Sequence, residues 1–269
     1  MKNIILLLGA ILFSFAVTAQ LHNDSLSKMT QPKPVQMTAD ETEFYSPVPP
    51  VVTPGAQYGD PPSDAIILFD GKNLDEWVST GDTTKAAKWD ISDNVITVNK
   101  KAGDIQTKRN FLDYQLHIEF RIPTNITGSG QARGNSGIFL AAADGGREYE
   151  LQVLDNYTNT TYVNGQVGSI YKQSIPLANP SRKPGEWQAY DVVWTAPRFY
   201  DNGTLESPAR ITVFLNDVLV QNNFVLRGST PYIGLPHYKR HGAAPIKLQA
   251  HGDKSEPISF RKIWLRPLY

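Results

Sequence analysis

The sequence predicts an all-β fold, a two-sheet antiparallel β-sandwich of the jelly-roll kind with an extended N-terminal strap. Three observations carry that expectation. Beyond Asp64 the chain is cut into short apolar or alternating runs by Gly, Asn, Asp and Pro, the punctuation of antiparallel sheets. About a dozen such runs fill roughly 200 residues with no repeat of 20 to 50 residues, which suits one sandwich and disfavours a propeller. Eight of the 19 prolines fall between Gln20 and Ser63, at positions 32, 34, 47, 49, 50, 54, 61 and 62, and they exclude regular helix and central strand there.

In chain order, Met1-Lys2-Asn3 is a short basic start, Ile4 to Val17 is almost wholly apolar, and Val17-Thr18-Ala19 carries small residues where a signal peptidase cuts. Residues 1–19 are therefore expected to be a signal peptide, and the product to be exported to the periplasm or the extracellular space. The apolar run is shorter than the ~20 residues a membrane span needs, and no later stretch replaces it. Residues 20–63 follow as a Pro-rich tether and strap. Its second half, Glu43 to Val52, mixes aromatics and valines with proline, so it is expected to pack as an extended strap.

The domain itself is expected over 64–269. Its predicted strands are Ala65 to Phe69, Trp89 to Ser92, Val95 to Val98, Gln115 to Ile122, Gly137 to Ala141 and Tyr149 to Leu154. Trp187 to Trp194, Arg210 to Leu215, Val218 to Gln221, Ile246 to His251 and Ile258 to Leu265 complete the set. Only Asn73 to Val78 invites a helical turn. Trp187 and Trp194 fall in a strand dense with apolar residues and are expected in the core.

Composition closes several functions. The chain has 26 Lys+Arg against 26 Asp+Glu, so it lacks the clustered positive charge of a nucleic-acid surface. It has no cysteine, which removes disulfide frameworks, thiolate metal sites and cysteine nucleophiles. Chemistry must come from carboxylates, histidines and amides.

Three strands present polar rows. Period-2 alternation places Gln115, His117, Glu119 and Arg121 on one face of their strand, Glu148, Glu150 and Gln152 on another, and Lys247, Gln249 and His251 on a third. Such rows are either the solvated face of a sandwich or a concave sugar-binding face. Their content of Glu, Gln, His and Arg favours the second, since sugar hydroxyls need paired donors and acceptors and a carboxylate beside a sugar can act as acid or base.

Eight pieces of the chain, in order, resemble the 3-keto-disaccharide hydrolase family, formerly a domain of unknown function, which is built on the concanavalin A-like lectin/glucanase sandwich. They are Leu68-Phe69-Asp70-Gly71-Lys72-Asn73-Leu74 followed by Trp77, Glu119-Phe120-Arg121, Asn135-Ser136-Gly137, Tyr149-Glu150-Leu151-Gln152-Val153-Leu154-Asp155, Gly168-Ser169-Ile170-Tyr171, Pro184-Gly185-Glu186-Trp187, Leu248-Gln249 with His251-Gly252, and Phe260-Arg261. The resemblance covers about Ala65 to Tyr269. Three positions depart from it: Asn216-Asp217 where Asn-Gly is usual, Lys262 where Asn follows the Arg, and Ala250 where Asp follows the Gln. The first two look structural, and the third leaves one carboxylate missing beside His251.

The resemblance implies an exported carbohydrate-active enzyme acting on 3-keto-glycosides or 3-keto-disaccharides, with a sugar-oxidising dehydrogenase upstream. A ketone at C3 acidifies the C2 proton, so a base can remove it and the C1 substituent can leave by β-elimination, with water adding afterwards. Glu150 is the first candidate for general acid/base, the other reading being a structural pair with an arginine. His251 is the second, as proton donor, metal ligand or turn cap. Arg121 and Gln152 are candidates to hold the ketone or hydroxyls, with Glu119 orienting Arg121. Asn135, Ser136, Glu148 and Gln249 are further contacts, Asp155 and Tyr171 stand at the rim, and His241 lies in a loop able to fold over the site. No cofactor is certain. A divalent cation such as calcium is compatible with the family fold, although no acidic loop has clear ligand spacing. Two other readings stay open at this point: a carbohydrate-binding module without turnover, and an ordinary hydrolase using Glu148 and Glu150, about 7 Å apart by strand rise. A structural partner of a surface complex, docking through Phe44, Tyr45 and Val51, is a third class.

Overall fold

The computed structural model describes residues 34–143 and 149–268. The signal segment 1–19, the first part of the tether and Glu148 lie outside the described residues. The chain divides into two units, Met1–Val51 and Val52–Tyr269. The described part of the first is extended apart from one 3-10 turn, Ala39–Glu41, where the Thr38 N–H donates to Glu41 Oε2 at 2.6 Å. Its Phe44, Tyr45, Val48 and Val51 side chains are exposed.

The second unit carries fifteen strands among its described residues. They are β1 (Ile66–Phe69), β2 (Trp77–Ser79), β3 (Asp90–Ser92), β4 (Val95–Thr97), β5 (Ile105–Thr107), β6 (Tyr114–Arg121), β7 (Ser136–Phe139) and β8 (Glu150–Val153). After them come β9 (Trp187–Thr195), β10 (Arg198–Phe199), β11 (Leu205–Ser207), β12 (Arg210–Leu215), β13 (Val218–Val225), β14 (Lys247–Leu248) and β15 (Ser259–Pro267). An eight-stranded sheet runs β13-β12-β9-β6-β15-β4-β3 with β1 beside β15, and a five-stranded sheet runs β2-β5-β14-β7-β8. Paired antiparallel neighbours throughout make this the expected sandwich. The helical turn anticipated over Asn73 to Val78 is absent. Leu74 closes a turn onto Trp77, and Trp77 opens β2 with its indole donating to the Leu68 carbonyl at 2.8 Å.

The core lies between the sheets, because alternation turns one side of each strand inward. Leu116, Ile118 and Phe120 of β6 and Tyr190, Val192 and Trp194 of β9 meet Ile138 of β7, Leu151 and Val153 of β8 and Leu248 of β14. Two tyrosines also tether sheet to sheet. Tyr114 donates to the Leu140 carbonyl at 2.6 Å, and Tyr190 to the Gln152 carbonyl at 2.7 Å, so each buries its ring while satisfying its hydroxyl.

The two structural departures have a backbone reason. Asn216 and Asp217 form the two-residue hairpin between β12 and β13 with φ of 51° and 66°, the positive values that such a turn demands and that Asn and Asp tolerate. Lys262 has φ 45° at the bulge where β15 shifts register against β6.

Part of the Pro-rich segment is ordered on the outer face of the eight-stranded sheet, at residues 57–60. Tyr58 donates to Asp191 Oδ2 at 2.7 Å, the Trp264 indole donates to the Gly59 carbonyl at 3.0 Å, and Lys262 pairs with Asp60 at 3.3 Å. Gly59, at φ 80°, is required there, since a Cβ would stand 3.0 Å from both His117 Nε2 and Glu119 Oε1.

Candidate active site

Strand register builds the site on the outer face of the five-stranded sheet. Phe139 lies opposite Glu150 and Lys247, and Gly137 lies opposite Gln152. The row continues through Gln249, whose N–H donates to the Gly137 carbonyl at 3.0 Å. Inward alternation of Ile138, Leu151, Val153 and Leu248 therefore turns Glu150, Gln152 and Gln249 outward together. Gly137 in the middle leaves a trough, and the Glu150 carboxylate occupies it: a Cβ on Gly137 would come within 2.6 Å of Glu150 Oε1.

The pocket over this trough has a volume of about 580 Å³, a size suited to a small ligand. Its walls come from loops. Gln131, in the 3-10 turn Gly130–Ala132, is held by bonds from Nε2 to Thr161 Oγ1 at 3.0 Å and the Gly165 carbonyl at 2.8 Å. Asn135 Nδ2 donates to the Gln131 carbonyl at 2.7 Å, and Asn135 Oδ1 accepts from Gln152 Nε2 at 3.1 Å. This amide chain orients Gln152 so that its Oε1 has no partner, in a side chain only 1% exposed. Gln249 Oε1 is likewise buried and unpartnered, in a residue 9% exposed. A buried acceptor without a donor costs about 1–3 kcal/mol, so both oxygens, shielded beneath the pocket that their residues line, are destabilising as they stand.

His251 closes one end. Its Nδ1 lies 2.6 Å from Asp253 Oδ2, which leaves Nε2 as the ring nitrogen for a ligand. Asp253 is itself fixed by Lys100 Nζ at 3.0 Å and the Ser255 N–H at 2.7 Å. Burial pushes its carboxyl up, but the bonds from Ser255, His251 and Lys100 outweigh that and hold it below the usual carboxylate value. The opposite wall is aromatic. Tyr162 and Tyr171 share a hydroxyl–hydroxyl hydrogen bond, and burial above all raises both phenols, with the field of Glu150 adding to the rise. Both therefore stay protonated near neutral pH. One proton bridges the two oxygens, and the other is a donor for a ligand.

Of the residues singled out in the sequence, the fold brings together Asn135, Glu150, Gln152, Tyr171, Gln249 and His251. It sends Glu119 and Arg121 to the outer face of the other sheet, because they alternate with the inward residues of β6. Glu119 pairs there with Arg261, and Arg121 lies over the Trp187 ring at 4.6 Å. Trp187 is accordingly half-buried with the Arg121 and Arg261 guanidiniums over its ring rather than in the core, whereas Trp194 is a core residue. Ser136 faces inward and donates to the Gln249 carbonyl at 2.8 Å. Asp155 is buried against Arg133 Nε at 2.6 Å. His241 bonds Tyr149 and the Gly242 carbonyl, at 2.9 and 2.8 Å, and does not line the pocket. Glu148 lies outside the described residues.

Sequence reasoning missed Gln131, Tyr162, Tyr232 and Asp253. The first three sit in loops without periodicity, while the His251-Gly252-Asp253 spacing was a readable sign of a carboxylate for the imidazole. Among the described residues no group of three or more His, Asp or Glu is arranged to hold a metal ion.

A family model described as a 3-keto-alpha-glucoside-1,2-lyase-like domain matches residues 64–266. The crystal structure of a putative glycosyl hydrolase from Parabacteroides distasonis ATCC 8503 is 58% identical with a TM-score of 0.81, the match covering 86% of this chain and 97% of that one. Two other crystal structures of putative glycosyl hydrolases from the same organism share the fold. One is 19% identical with a TM-score of 0.56, covering 76% of this chain and 94% of its own. The other is 22% identical with a TM-score of 0.50, covering 76% and 99%. No curated protein matches the chain at a significant level.

Proposed function

The chain belongs to the family of 3-keto-alpha-glucoside-1,2-lyase-like domains, and from that premise we propose that this carbohydrate-active enzyme cleaves 3-keto-glucosides by elimination across C1 and C2, then hydration. Glu150 takes the C2 proton, and the electron pair of that bond passes into an enolate on the C3 oxygen. The enolate re-forms the ketone as a C1–C2 double bond appears and the C1–O bond breaks, its electrons leaving with the aglycone oxygen. His251 Nε2, carrying a proton, delivers it to that oxygen. Water then adds its hydroxyl to C1 and its proton to C2, and the proton on Glu150 passes through solvent to His251, so that glycoside and water become keto sugar and free alcohol with both residues restored.

The observation that carries this reading is the convergence of one carboxylate, one carboxylate-held imidazole and two unpartnered amide oxygens in a single pocket. The amides lining the pocket, Gln131, Asn135, Gln152 and Gln249, are the groups suited to sugar hydroxyls. The Tyr162–Tyr171 pair holds a proton for the enolate oxygen. Among the described residues Glu150 is the pocket's one carboxylate, and it is the base of the proposed proton abstraction. We place this chemistry outside the cytoplasm on the strength of the signal segment at 1–19, and after a sugar-oxidising dehydrogenase because the substrate carries a ketone at C3.

The test is aglycone release from 3-keto-trehalose and from trehalose in D₂O. The expected result is cleavage of the keto sugar alone, with deuterium at C2 of the released sugar, and a rate about 10³-fold lower in Glu150→Gln. Equal cleavage of trehalose, or a Glu150→Gln variant at wild-type rate, would overturn the reading.

A further inference from the structure

Eight residues other than glycine have positive φ among the described residues, and five of them, Asp93, Asn94, Asn216, Asp217 and Asn223, carry the short polar side chains that tolerate it. Tyr149, Lys172 and Lys262 do not. Lys262 belongs to the bulge of β15, but the other two flank the pocket. Tyr149 precedes Glu150, and Lys172 follows Tyr171, whose N–H donates to the Glu150 carbonyl at 3.0 Å. Backbone strain persists only where the surroundings over-determine it, and it gathers at working sites.

The turn around Lys172 does not itself need a lysine. It is closed by the Gln173 and Ser174 N–H groups, which donate to the Ile170 carbonyl at 2.7 and 2.9 Å, and by the Lys172 N–H, which donates to the Asn164 carbonyl at 2.8 Å. All are backbone bonds, and glycine would make them with less strain at φ 59°. What glycine could not supply is the side chain. The Lys172 ammonium lies 4.3 Å from the Tyr232 ring centroid, 5.4 Å from that of Tyr171 and 5.9 Å from that of Tyr162, and it donates to the Tyr232 carbonyl.

Those three rings line one side of the pocket, and they come from two separate stretches of chain. Tyr162 and Tyr171 are joined through their hydroxyls. Tyr232 belongs to a loop whose foot is fixed, the Ser229 N–H donating to the His237 carbonyl at 2.9 Å. The tip of that loop is not fixed in the same way: Tyr232, Ile233, Gly234 and Leu235 are all exposed, and Pro231 and Pro236 have no N–H to give. Among the described residues, the Lys172 bond to Tyr232 is the one hydrogen bond that reaches 231–236. A segment so thinly tied opens locally unless something clamps it.

Building on the reading of this pocket as the keto-sugar site, we infer that Lys172 is a positioning residue for the reaction. Its ammonium clamps Tyr232 against the Tyr162–Tyr171 pair, so that the proton meant for the enolate oxygen is presented by a wall that stays in one place. The lysine touches no reacting atom. It acts through the tyrosines, and its left-handed backbone is what aims the ammonium at all three rings.

The test compares Lys172→Gly and Lys172→Arg with wild type in the full chain, with 3-keto-trehalose as substrate. Glycine relieves the strain and removes the ammonium, so Lys172→Gly is expected to melt within about 2 °C of wild type. Its kcat is expected to fall about tenfold with KM changed less than about twofold, because the proton at the enolate oxygen is needed in the transition state rather than for binding. Lys172→Arg keeps a cation over the rings and is expected to recover most of that loss. Nitrogen-15 backbone order parameters of residues 232–235 read the clamp without turnover, with values near the rigid figure of about 0.85 expected in wild type and below about 0.6 in Lys172→Gly. A Lys172→Gly protein with wild-type kcat, or with unchanged order at 232–235, overturns the inference, as does a Lys172→Arg protein no more active than Lys172→Gly. If wild type does not cleave the keto sugar, the reading of the inner pocket fails, while the order parameters still decide whether Lys172 clamps the wall.

Discussion

Gly137→Ala isolates the position of Glu150 from its chemistry. An alanine Cβ at 137 would stand 2.6 Å from Glu150 Oε1, 3.1 Å from Glu150 Cδ and 3.0 Å from Phe139 Cε2. Ordinary contact begins near 3.4 Å, so the carboxylate must retreat by roughly 0.8 Å unless the sheet itself gives. The nearest obstacle is the far end of a side chain, and the Phe139 ring has only to give by a few tenths of an ångström. Overpacking of about 1 kcal/mol is offset by the 0.4–1 kcal/mol that Gly→Ala recovers from the unfolded chain. Tm is therefore expected to move by no more than about 4 °C. Catalysis is another matter, since a displacement near 1 Å costs on the order of 10²-fold. Initial rates on a 3-keto-glucoside, with a melting curve for each protein, measure both quantities. Gly81→Ala is the control, its Cβ meeting nothing closer than Ser79 Oγ at 3.8 Å. A folded Gly137→Ala protein turning over at the wild-type rate would refute the argument that Glu150 acts from the trough.

Three other outcomes are expected. Asp253→Asn removes the carboxylate that fixes His251, so kcat should fall about 10²-fold with a smaller change in KM, measured by steady-state kinetics. His117 lies between Asp191, at 2.7 Å, and Glu119, at 3.7 Å, with Tyr58, Asp60, Arg261 and Lys262 around that face. Burial pulls its pKa down, but the two carboxylates outweigh burial and raise it above the ordinary value of 6.5. A raised folded pKa means this stability is fully present below 6.5 and is lost as pH rises through the folded value. Melting temperature from pH 5 to 9 should therefore decline on the alkaline side, and His117→Gln should flatten that decline. Tyr190→Phe deletes the cross-sheet bond to the Gln152 carbonyl, which keeps the Gly168 N–H at 3.2 Å as its remaining donor. The loss should be about 1 kcal/mol, or 2–4 °C by calorimetry, and an unchanged Tm would show that the tether carries no stability.

Much of the fold was readable locally. Period-2 alternation in Leu116, Ile118 and Phe120 identified an inward face before any contact was known, and Asn216-Asp217 between two apolar runs marked a hairpin. Asn73 to Val78 misled because Leu74 and Trp77 have helical spacing. Trp77 is instead anchored by a carbonyl nine residues earlier, in β1, which a local window does not weigh.

The site divides along the same line. Glu150 and Gln152 were legible as a polar row, as were His117, Glu119 and Arg121, and the two rows look alike in sequence. By itself the sequence determined which side chains share a strand face, because that depends only on a two-residue period. Only the tertiary structure decided which sheet each strand joined and what covered it. β8 pairs with β7 and leaves its row over a glycine trough open to a pocket, while β6 pairs with β9 and β15 and has its row covered by residues 57–60. Long-range register and a covering segment from elsewhere in the chain are cooperative properties of the packed whole, so identical local patterns end as a candidate active site on one face and a structural ion network on the other.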